Sequence, residues 1–248
     1  MHYSPLFISS LTSSIASLYI SFTILRFGKH RIHKFFALFN FFIFIWSCGA
    51  TIITQISDNN FLSEFVYRIA CVGVTFIPVF LFNTVLFLSK QKINRILIYL
   101  YYLQGFIFSY IILKTDLILK LPLNNYYGDF YVPTPGKNFL VGWFLVWAFI
   151  AIHANFKLFH YFITNKNRFL NFFAFVFALG FTGSTLNFFI PFNIKISQFA
   201  NFAIAFYCIV IPHAIFRHQL FGIEVVYKKG LLYSILIAIL TSIYLLLI

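Results

Sequence analysis

Apolar residues fall in long unbroken runs, separated by short polar clusters, along the whole 248-residue chain. Eight runs stand out, at 5–25, 36–56, 66–88, 96–113, 139–158, 169–190, 198–216 and 231–248. Each approaches the roughly 20 residues a helix needs to cross a hydrocarbon core of about 30 Å. A single segment in lipid must satisfy its own backbone hydrogen bonds, and a helix does this alone. The ten-residue alternation that marks an outer-membrane barrel is absent from the pattern. The expected fold is therefore all-α: a polytopic transmembrane bundle of about eight spans. It divides into a seven-helix module over residues 1–216, a polar connector at 217–230 and an eighth span at 231–248.

Composition agrees with the pattern. The chain is 61% hydrophobic and 9% charged, far below the quarter or so of charged residues in an ordinary soluble domain. The net charge of +13 would suit a nucleic-acid binder, but its placement argues for topology instead. Thirteen of the 18 lysines and arginines fall in the odd-numbered connections, with one of the five acids. The first connection alone holds Arg26, Lys29, Arg31 and Lys34. By the positive-inside rule the amino terminus and even connections face outward, in a multi-pass protein of the inner (cytoplasmic) membrane. The lipid bilayer is then the partner, and no nucleic acid is expected.

Little catalytic chemistry is visible. No paired aspartates, Ser–His pair or HExxH occurs within the spans, so no catalytic residue, metal site or cofactor is assigned. His30 and His33 share a helical face, but no Cys or acid completes a metal set, and contact with lipid headgroups is the simpler role. Arg68 sits at the outer end of the third span, where its head can reach the interface. His153 and His213 lie in spans as neutral hydrogen-bonding groups. Cys48, Cys71 and Cys208 sit in apolar runs and serve as small hydrophobes. Pro78 interrupts the third span and should kink it. Gly180, Gly183 and Asn187 precede Pro191, a place for close helix contact or movement. The longest connection, residues 114–138, is punctuated by Pro122, Gly128, Pro133, Pro135 and Gly136. It reads as an external loop on the bilayer surface. Its aromatic residues Tyr126, Tyr127, Phe130 and Tyr131, together with Asn187, are the candidate ligand contacts.

The most specific stretch is the last, "HAIFRHQLFGIEVVYKKGLLYSILIAILTSIYLLL". It resembles the end of the seven-helix sensor region at the amino terminus of bacterial membrane histidine kinases. The resemblance rests on Ala214, Ile215 and Arg217; on Leu220, Phe221 and Ile223; on the Lys228–Lys229 pair; and on Leu232, Tyr233 and Ser234, with Leu240, Thr241 and Tyr244 beyond. Trp46 in the second span and Pro78 in the third are similar to the family's residues there, whereas Gly222 replaces a common acid. The resemblance implies a sensory module that passes an external or membrane signal to a cytoplasmic kinase and, through it, to a response regulator. It also implies action as a homodimer. No kinase motif lies in these residues, so the chain is not expected to be an enzyme. By parity the span from Leu231 heads outward, and the ending reads as a truncation before the output domain. The alternatives are a small-solute transporter, or the same module feeding another output such as a cyclase.

Overall fold

The computed structural model describes residues 4–56, 60–89, 95–125, 131–135, 137–164, 168–192, 194 and 201–217. Seven helices account for nearly all of them: α1 Pro5–Phe27, α2 Arg31–Ile53, α3 Asn60–Ser89, α4 Arg95–Lys114, α5 Lys137–Thr164, α6 Arg168–Leu186 and α7 Phe202–Arg217. A 3₁₀ helix, Asn187–Phe192, extends the end of α6. Among the described residues five helices, α1 to α5, are long and apolar enough to cross a membrane, as in a multi-pass membrane protein. The expected connector at 217–230 and eighth span at 231–248 lie outside the described residues, apart from Arg217 at the end of α7.

Helix boundaries follow local chemistry more closely than hydropathy. Ser4 accepts a hydrogen bond from the Phe7 N–H at 3.2 Å, and Pro5 follows at the first helical position, so α1 starts sharply. α2 begins at Arg31, several residues before its apolar run, because only Gly28–His30 separates it from α1. His33 is buried, and its Nδ1 accepts the His30 N–H at 3.1 Å, satisfying a donor at the start of α2. His30 stays exposed. The two histidines thus pair with each other at the turn, their rings 5.3 Å apart, instead of both meeting headgroups.

One element among the described residues is not helical. Residues Leu119–Asn125 (β1) and Tyr131–Pro135 (β2) form an antiparallel hairpin, with Leu119 opposite Pro135 and Asn125 opposite Tyr131. The register shifts between Lys120 and Leu123. Pro122 lies in that interval, and a residue without an N–H is tolerated in a strand only at such irregularities or at an edge. The expected surface loop is therefore ordered strand over much of its length.

Six helices close a ring: α1 packs on α2, α2 on α3, α3 on α5, α5 on α6, α6 on α7, and α7 returns to α1. α4 stands outside the ring against α3. Over its best membrane-spanning window α3 is 78% buried and α4 only 22%, so α3 is the structural axis and α4 faces lipid. Small residues allow these approaches. A Cβ on Gly49 would lie 2.6 Å from Ala70 Cβ, which sets the α2–α3 distance, and one on Gly105 would strike the Phe76 ring at 2.7 Å, which seats α4. Along α1 the stripe Ser9, Ser10, Ser13, Ser14, Ser17 and Ser21 is buried. Their hydroxyls bond back to their own helix where bonds are made, as from Ser13 to the Ser9 carbonyl at 2.8 Å and from Ser17 to the Ser13 carbonyl at 2.6 Å. That satisfies polar groups without widening the contact. Thr51 crosses to Ser10 Oγ at 3.1 Å and joins α2 to α1.

Candidate functional site

The ring lines a partly open cavity of about 110 Å³. It lies at the end of the bundle that holds the start of α1, with Leu6 on one side and Leu119 of β1 on another. α2 contributes Phe39, Trp46 and Ala50, and α3 contributes Tyr67, Cys71 and Val74. α5 adds Trp143 and Trp147, and α6 and α7 add Phe181, Ile204 and Tyr207. Among the described residues the lining includes no charged side chain.

A proline-weakened turn of the continuous helix α3 forms one wall. Pro78 is buried within the helix and has no N–H. The carbonyl four residues earlier, that of Val74, therefore has no partner inside its own helix. Trp147 supplies one: its indole N–H donates to the Val74 carbonyl at 2.9 Å. One turn earlier on α5, Trp143 donates to Thr75 Oγ1 at 3.1 Å, and Thr75 in turn donates to the Cys71 carbonyl at 2.9 Å. Two indoles at i, i+4 spacing on α5 thus clasp the weakened turn of α3. This is how a membrane helix tolerates an internal proline, with a neighbour re-satisfying the freed group.

Two amides meet on the wall of the cavity. Asn187, at the start of the 3₁₀ helix, donates from Nδ2 to Asn201 Oδ1 at 2.8 Å, next to the first residue of α7. Both amides line the cavity. One bond between two primary amides leaves an acceptor oxygen on one residue and N–H donors on the other, whichever way they are turned. On the same wall Tyr207 packs edge-on against Phe39 and Phe177, with centroids 6.0 and 5.0 Å apart. Its hydroxyl lies near Asn40 but outside hydrogen-bond geometry, so both it and Asn40 Oδ1 lack a partner. A Cβ on Gly180 would come within 3.0 Å of Tyr207 Cβ, so the glycine lets α7 sit close to α6.

Two further polar constellations lie outside the cavity. Arg68 is a junction, not a side chain reaching for headgroups. It donates to Glu64 Oε1 at 2.9 Å, to the carbonyls of Ile112 and Thr115, and to the Asp116 carboxylate. The guanidinium therefore caps the carbonyl end of α4, where the helix dipole favours a cation. His153 of α5 meets Tyr101 of α4, with Nδ1 and the hydroxyl 2.8 Å apart. Its ring lies 4.8 Å from that of Phe82. This is the hydrogen bond to a neighbouring helix expected of a span histidine.

The structure brings together only part of the candidate set. Asn187 and Trp46 line the cavity, and Pro78 shapes its wall. Tyr131 opens β2, paired with Asn125. Tyr126, Tyr127 and Phe130 lie outside the described residues, as do Leu220, Phe221, Ile223, Leu232, Tyr233, Ser234, Thr241 and Tyr244. Ala214, Ile215 and Arg217 belong to the last turns of α7. Cys71 and Cys208 are buried and Cys48 is half-buried, in keeping with apolar packing. Sequence reasoning missed Trp143, Trp147, Asn201 and Tyr207. A signal for Trp147 exists: an internal proline calls for an N–H donor, and Trp143 and Trp147 share one helical face. Compared with models of known protein families, with curated proteins and with solved structures, the chain finds no match.

Proposed function

We propose that this bundle is a sensory input module of the bacterial cytoplasmic membrane, with its amino terminus outside, feeding a cytoplasmic output of histidine-kinase type. The supporting observation is the junction of the cavity with the proline-weakened turn of α3. A cavity on its own could store a lipid tail or nothing. Here its wall is a turn of the central helix whose hydrogen bond is lent by Trp147 from the neighbouring helix. Such a turn has two arrangements, with the Val74 carbonyl bound to the indole or released from it. An occupant that touches Trp147 and Val74 stabilises one arrangement over the other, and differential affinity of this kind is what a sensor requires. α7 lines the same cavity and runs from it to the opposite, basic end of the bundle, where an output would attach.

The test is a fusion of the bundle to the catalytic region of a histidine kinase, followed in membranes by autophosphorylation. Pro78→Ala and Trp147→Phe each alter the balance of the α3 turn. The expected result is a change of at least about fivefold in basal phosphorylation for one of them, the effect of about 1 kcal/mol of coupling. Phosphorylation insensitive to both substitutions would overturn the sensor reading. Solute uptake by vesicles carrying the bundle alone would point to a transporter instead.

A further inference from the structure

We infer that the cavity binds an uncharged aromatic molecule of one or two rings that carries one hydrogen-bonding group, held at the Asn187–Asn201 amide pair. This deepens the sensor reading and rests on it for biological meaning, but the site itself stands on geometry.

Charge is the first constraint. Among the described residues no Lys, Arg, His, Asp or Glu lines the cavity, and an ion moved there would lose its hydration without a counterion. Shape and surface are the second. The walls are dominated by rings, including Phe39, Trp46, Trp147, Phe181 and Phe188. Rings pack best against the faces and edges of another ring. The volume of about 110 Å³ is of the same order as an apolar cavity of about 150 Å³ that takes benzene. That suits a one- or two-ring molecule and is too small for a lipid chain with its headgroup.

Polar capacity is the third constraint. The indole N–H groups of Trp143 and Trp147 are already committed to Thr75 and Val74. The amide pair is different: its single mutual bond leaves an acceptor and donors on residues that line the cavity. An N–H, hydroxyl or carbonyl on the ligand is satisfied there, whereas a pure hydrocarbon would leave the amides unpaired.

Indole is a suitable probe, with indene as its isostere lacking the N–H and indole-3-carboxylate as its charged analogue. Radiolabelled indole is equilibrated with the full chain in nanodiscs, against empty nanodiscs as the baseline for partition into lipid. Saturable excess binding is expected. Indole-3-carboxylate should fail to compete. Asn187→Leu should weaken indole at least fivefold while changing indene less than twofold. Ala50→Phe and Ile204→Phe fill the cavity and should each weaken indole more than tenfold; each is read only if helix content and elution match the wild type. No saturable excess in the wild type would overturn the inference. So would undiminished binding in a folded filled variant, or equal responses of indole and indene to Asn187→Leu. Saturable binding with no kinase response in the fusion would sink the sensor reading and leave the site standing. A kinase response to Pro78→Ala without indole binding would do the reverse.

Discussion

The Trp147–Val74 hydrogen bond can be isolated by a double-mutant cycle with Pro78. Trp147→Phe removes the indole N–H and leaves the Val74 carbonyl without a partner, because Pro78 cannot replace it. Orphaning a buried backbone group costs about 1–3 kcal/mol, and the smaller ring adds a packing loss. Pro78→Ala gives α3 the missing N–H, which can bond the Val74 carbonyl from within the helix. In that background Trp147→Phe loses only the packing part. The packing loss is common to both backgrounds and cancels in the cycle. The expected coupling is therefore about 1–2 kcal/mol, with Trp147→Phe cheaper when Pro78 is absent. Reversible unfolding in mixed micelles by SDS titration, followed by far-UV circular dichroism, measures all four proteins. Trp143→Phe is the internal control: its partner is the Thr75 hydroxyl, which keeps its own bond to Cys71, so coupling to Pro78 should stay below about 0.5 kcal/mol. If Trp147→Phe costs the same in both backgrounds, the account of the α3 wall is wrong.

Other perturbations test the frame around the cavity by the same titration. Arg68→Met should destabilise by about 2–3 kcal/mol, because it unpairs Glu64 and uncaps α4. Asp116→Asn should cost under about 1 kcal/mol, since Asp116 is 67% exposed and solvent screens it. Gly49→Leu should cost more than about 2 kcal/mol by forcing α2 from α3, whereas Gly142→Ala, whose Cβ meets nothing within 4 Å, should stabilise by about 0.5–1 kcal/mol. Tyr101→Phe should cost about 1 kcal/mol through loss of the His153 bond, and an unchanged midpoint would show that bond to be dispensable.

The helices α1 to α5 were legible in the chain because each carries its own evidence. Length and hydropathy decide whether a segment can leave water, and both are properties of consecutive residues. Boundaries were less legible, since capping by Ser4 and the short Gly28–His30 turn operate at the level of single residues. The hairpin escaped notice because its prolines read as loop signals, although Leu119, Leu121 and Leu123 already alternate.

By itself the sequence determined that this chain builds apolar helices, which polar clusters separate them, and that Pro78 would leave one carbonyl without its helical partner. Which group would meet that carbonyl was decided only in three dimensions. Trp147 lies 73 residues away from Val74 along the chain, and no local rule connects the two. The same holds for Arg68 at the end of α4, and for Asn187 against Asn201. Lipid selects the helices one at a time through hydropathy. Packing selects the partners of buried polar groups collectively, because each must find a donor or acceptor among whatever faces the closed ring brings together.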